Sequence, residues 1–174
     1  MKSEHGLGLI GTIFLTVMIA ALAFGAVYFV RIQYAKERFE SLKTDMLLVQ
    51  AKVKKIEGEY TLSKKTEDLK GTPVKDMQED TVIKDFLSKK VIDIEEKDSN
   101  YYVLNQENLQ EMELKIKLPD NTYYIVNYTN AEVIITSGYT HSDGNIYYTL
   151  TQIEELSAEA QNEVNTAETK ISEE

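Results

Sequence analysis

Few residues in this 174-residue chain are of a type that does acid, base, nucleophilic or metal chemistry. Cysteine is absent, which removes thiol nucleophiles, thiolate metal sites and disulfides together. The two histidines are far apart, His5 near the start and His141 in a turn. The sequence reads without a Ser-His-Asp set, a glycine-rich phosphate loop or a metal-spaced histidine pair. Asp93, Glu95 and Glu96 gather three carboxylates, but this spacing is expected to form a solvated face rather than an acid/base pair. His141-Ser-Asp143-Gly144-Asn145 offers oxygen ligands for calcium without the spacing of a calcium loop, so a plain hairpin turn is expected. The chain therefore reads as no enzyme, with no catalytic set, metal or cofactor. Its chemistry is expected to lie in surfaces.

The elements that carry those surfaces begin with Leu7–Val30, a run of 24 residues without a charge. As a helix it measures about 36 Å, enough to cross a hydrocarbon core of about 30 Å with some tilt. The helical pattern continues past Arg31. Ile32, Ala35, Phe39, Leu42, Met46, Val49, Val53, Ile56 and Tyr60 recur in alternating steps of three and four, an unbroken heptad stripe. No proline interrupts it, and Gly58 falls near its end. One continuous helix is expected, half of it in membrane and half amphipathic.

From Asn100 the period changes to two. Tyr101–Leu104, Thr122–Tyr128, Glu132–Ser137 and Asn145–Leu150 read as strands, with helical turns at Thr81–Lys89 and Asn105–Met112. Eight of the eleven tyrosines fall within residues 101–148, as a small half-buried sheet needs. Paired tyrosines at alternating positions put one ring of each pair outward, where it can stack on a sugar, pair across strands or cover the helix. The organisation read is a leader at 1–6, a membrane segment at 7–30, an amphipathic helix at 31–60 and a loop at 61–80. A small α/β domain at 81–156 and an acidic tail at 157–174, a frayed helix or disordered, complete it. The fold class is α+β, a long N-terminal helix packed on a small antiparallel sheet, because a domain this small needs the helix stripe to complete its core. Net charge is −10, which argues against nucleic acid as a partner. Lys2 before the apolar run and Arg31, Lys36 and Arg38 after it give a charge count that places the C-terminal part in the cytoplasm.

The short charged leader, the Gly6–Leu7 junction and the Gly6-Leu-Gly-Leu-Ile-Gly-Thr-Ile run resemble a signal cut by prepilin peptidase. With the long helix and the tyrosine-rich sheet they resemble the type IV pilins and type II secretion pseudopilins, in particular clostridial pilin-like proteins. Thr44-Asp-Met-Leu-Leu-Val-Gln-Ala-Lys52, Gly71-Thr-Pro73 and Tyr123-Tyr-Ile-Val-Asn-Tyr128 resemble that group as well. The resemblance implies cleavage between Gly6 and Leu7 and methylation of Leu7. It also implies a single-pass membrane subunit with its C-terminal domain outside the cell, and partners comprising the membrane, the peptidase and other pilin-like subunits in a surface filament. Gly11, Ala21 and Gly25 would lie in the assembly helix; most pilins carry a glutamate at the position Gly11 occupies. Two other readings stay open. One is a signal-anchored extracellular coiled-coil adaptor using the heptad stripe, and the other is a glycan-binding surface module.

Overall fold

Strands rich in β-branched and aromatic residues favour an antiparallel sheet, and short Asn, Asp and Gly turns between the last three favour pairing of each with the next. The computed structural model describes the backbone of residues 9–65, 68–94 and 100–172, and the side chains of 17–22, 30, 33–65, 68–94 and 100–162. Helix α1 (Leu9–Ser63) comes first. Strand β1 (Thr72–Pro73), a 3-10 turn (Val74–Met77) and α2 (Thr81–Ser88) follow. Then come β2 (Tyr101–Leu104), α3 (Gln106–Glu111), β3 (Tyr124–Asn127), β4 (Glu132–Thr140), β5 (Ile146–Thr149) and α4 (Leu150–Ser172). The strands form one antiparallel sheet in the order β1-β2-β3-β4-β5. The chain is α+β.

Contacts divide the chain into two units, Met1–Ser41 and Leu42–Glu174. In the first, Val17, Met18, Ile19, Leu22 and Val30 are 48% to 69% exposed. Among the described residues no helix is long and apolar enough to cross a membrane; most side chains of Leu7–Val30 lie outside them.

In the second unit the sheet buries both faces. Val103, Ile125 and Ile134 stand in register and pack with Ile83 and Phe86 of α2 and Val74 of the 3-10 turn. Leu104, Tyr124 and Ile135 point to the opposite face, with Tyr102, Val126 and Val133 one pleat away. The C-terminal part of α1 covers this second face. Burial, and then the Asp45 carboxylate of α1, push the Tyr124 phenol up. Burial followed by the nearby Tyr60 acts in the same direction on Tyr102. These neighbours run α1 across β3 and β2, and Met46, Val49, Val53 and Ile56 are buried at 6% exposure or less. Each such apolar side chain contributes about 1.5–3 kcal/mol over leaving it in water.

Caps fix the short helices. Asp80 Oδ1 accepts from Val82 N and Ile83 N at 2.9 and 3.1 Å, and its Oδ2 accepts the Tyr123 hydroxyl at 3.2 Å. Asn105 and Asn108 form a reciprocal capping box on α3. Thr149 and Gln152 do the same for α4: Thr149 N donates to Gln152 Oε1 at 3.1 Å, and Gln152 N to Thr149 Oγ1 at 3.2 Å.

Two segments differ from the sequence reading, and a third takes the helical one of its two alternatives. The 61–80 loop contributes β1, and its Leu69 and Val74 are buried. Pro73 reads as a breaker, yet on an edge strand it leaves no interior ladder donor missing. The acidic tail at 157–174 belongs to α4, which is helical to Ser172 and buries Ile153 and Ser157. Strand β4 extends beyond Ser137 to Thr140 through a register shift at positive-φ Gly138.

Candidate functional site

The heptad stripe divides into parts with different surroundings. Ala35 is exposed, Phe39, Leu42 and Tyr60 are half-buried, and Met46, Val49, Val53 and Ile56 are sealed beneath the sheet. Two lysines clamp the sealed part. Lys43 Nζ donates to Ser157 Oγ on α4 at 2.7 Å, and Lys52 Nζ meets Glu113 Oε2 at 3.1 Å just beyond α3. The Lys52 hydrogen bond holds the Glu113 carboxyl below its usual range. Of the assembly-helix residues, Ala21 is exposed, and Gly11 and Gly25 fall within α1. Gly6, Leu7 and the Ile32 side chain lie outside the described residues.

The β4–β5 hairpin end holds a cluster of polar and aromatic groups. Tyr139 and Tyr147 face each other across the strands. The His141 ring lies 6.4 Å from the Tyr139 ring, tilted by 42°, and 6.1 Å from the Tyr147 ring, edge-on at 82°. Asp143 anchors the turn. Its Oδ1 accepts Asn145 N at 2.8 Å, while Oδ2 accepts Asn145 Nδ2 at 2.9 Å and the Tyr147 hydroxyl at 3.0 Å. The Asn145 amide, chiefly, holds the Asp143 carboxyl below its usual range, and the hydrogen bond to Asp143 raises the Tyr147 phenol.

The same turn lines up three residue types that sequence reading had set aside. His141 Nδ1 lies 3.3 Å from Asp143 Oδ1, and Ser142 Oγ lies 3.5 Å from His141 Nε2. That is the order of nucleophile, base and orienter, but the contacts do not make an acyl-transfer site. Nδ1 stands off the line of a hydrogen bond, and 3.5 Å is long for Ser-to-His proton transfer. The neighbouring amides are also engaged, Gly144 N with His141 O and Asn145 N with Asp143, so they offer no oxyanion pair. Three consecutive residues gave no signal of this, because such sets normally join distant segments.

A groove of about 780 Å³ runs between α3 and the 117–123 loop, bordered by Gln110, Leu118, Pro119 and Tyr123. The Gln106 amide at its side bridges Ile116 O and Leu118 N at 2.9 Å each and so holds the loop. Among the described residues no group of three or more His, Cys, Asp or Glu side chains is arranged to hold a metal ion. Asp93 is exposed, and Glu95, Glu96 and His5 lie outside the described residues. Comparison with protein-family models, curated proteins and solved structures finds no match to this chain.

Proposed function

We infer that the chain is a pilin-like structural subunit of a type IV pilus or type II secretion-type filament, matured by prepilin peptidase at Gly6–Leu7. The observation that carries this reading is the division of α1. Its C-terminal stripe is spent inside its own domain, while Val17, Met18, Ile19, Leu22 and Val30 keep large apolar side chains exposed. A helix that seals Met46 to Ile56 while its described apolar residues at 17–22 and 30 stay exposed suits a subunit held first by lipid and then by neighbouring helices. In this reading Leu7–Val30 holds the subunit in the membrane with the domain outside, overriding the charge count. Leaving lipid for a protein core yields little hydrophobic energy, so close packing at small residues such as Ala21 and Gly25 guides assembly. The buried stripe also weighs against the coiled-coil adaptor, because Met46 to Ile56 would be the middle of its seam.

Co-expression with and without a prepilin peptidase, followed by intact-mass measurement, tests the proposal. The expected product lacks Met1–Gly6 and carries one added methyl on Leu7. A full-length, unmodified chain in the presence of active peptidase would overturn it.

A further inference from the structure

We propose that the β4–β5 hairpin end is a carbohydrate site, taking a pyranose ring that is neutral or bears an amine. A pyranose presents an apolar C–H face and a polar rim, so its receptor needs aromatic surface beside fixed polar groups. Tyr139, His141 and Tyr147 supply a corner of three rings, half-buried at their base. The polar rim meets exposed Ser142 and Asn145, which stand in the turn immediately beside those rings.

The corner is set before any ligand arrives. Asp143 holds Asn145 by backbone and side chain and holds the Tyr147 hydroxyl, and His141 N closes the turn on Asn145 O at 2.9 Å. Binding therefore loses little additional side-chain freedom. Gly138 contributes in a different way. Its φ of +66° turns β4 at the register shift and leaves room for Ile146 and the Tyr148 ring, so the strand carries Tyr139 past them to face Tyr147.

Charge selects among aromatic-stacking ligands. Asp143 contacts the Tyr147 hydroxyl, Glu159 of α4 acts electrostatically on the same phenol, and the chain carries −10 overall. Nucleobases on a phosphate chain and acidic sugars are repelled, whereas neutral and amine-bearing sugars are not. This inference does not depend on filament assembly.

The test titrates the full-length chain in detergent, with isotope-labelled tyrosine and histidine rings, against three tetrasaccharides: N-acetylglucosamine, glucosamine and galacturonic acid. Shifts confined to Tyr139, His141 and Tyr147 are expected with the first two, with a dissociation constant on the order of 1 mM. The galacturonate oligomer is expected to leave the rings unmoved. Tyr147→Ala and Tyr139→Ala should each weaken binding up to about tenfold, the value of one aromatic contact. Tyr147→Phe keeps the ring and the hairpin and should retain binding, which separates ring loss from misfolding. Silence with both uncharged and amine sugars, equal response to galacturonate, or unchanged affinity in both alanine variants would overturn the proposal.

Discussion

At the scale of single residues, two positions show how local geometry decides between acceptable and forbidden side chains. Gly71 has φ +93°, and a Cβ there would stand 2.7 Å from Leu104 Cδ2 and closer still to the Val103 carbonyl oxygen. Backbone cannot rotate away as a side chain can, so Gly71→Ala is expected to cost about 1–3 kcal/mol, read as a lower urea midpoint with unchanged slope. A midpoint equal to the parent's would mean that β1 can leave β2 without loss. Asp45 is the opposite case, a residue whose replacement should help. Burial raises its carboxyl above the ordinary value, so ionisation in the folded state is disfavoured relative to the unfolded chain. The stability this group contributes is present below the unfolded pKa and is lost as pH rises through the folded one. Asp45→Asn removes that dependence. Its melting temperature should exceed the parent's at pH 7, and the gap should close as pH falls through the carboxylate range. A gap that is constant with pH would refute the cause given.

At the scale of elements, the apolar face of α1 from Met46 to Ile56 belongs to the sheet's core. Met46 is fully buried and Leu62 is 89% exposed, although both are apolar residues of the same helix. Met46→Ala should therefore cost about 2–5 kcal/mol. Leu62→Ala should stay within about 0.5 kcal/mol, with both melts independent of protein concentration. A concentration-dependent midpoint would instead place Met46 in a seam between two chains. This element was legible because the 3,4 spacing of Met46, Val49, Val53 and Ile56 states which face is apolar. Spacing could not state what covers that face; the Asp45–Tyr124 and Tyr60–Tyr102 neighbours do. The strands Tyr101–Leu104 and Tyr124–Asn127 were legible from alternation. Helix α4 was obscured by its acidic composition, although Thr149-Leu-Thr-Gln152 spells a capping box that marks its start. Strand β1 was obscured because two residues, one of them proline, carry no periodicity. The hairpin end was visible as a turn, but the three-ring corner depends on the register shift at Gly138, and a register shift leaves no compositional trace.

At the scale of the whole molecule, the chain depends on tyrosines that must remain neutral. Tyr128 sits 2% exposed, with Lys70 N donating to its hydroxyl oxygen at 3.1 Å and Lys70 O accepting its proton at 3.0 Å. Burial pushes its phenol up to about 12, with the hydrogen bond that the Lys70 N–H donates to the phenol oxygen opposing. Tyr124, raised by burial and by Asp45, moves in the same direction. In the unfolded chain both ionise near the ordinary value of about 10. Above that pH the unfolded state has released protons that the folded state still holds, so each further rise in pH favours unfolding. The direction is reinforced by the starting charge of −10, because every new phenolate adds repulsion to a molecule already negative. Melting temperature should be level through neutral pH and fall steeply between about pH 10 and 12. Tyrosinate absorbance should then rise in two stages, the second coinciding with loss of the folded circular-dichroism signal. Complete ionisation of all eleven tyrosines while that signal persists would show that Tyr124 and Tyr128 are not held as the packing requires.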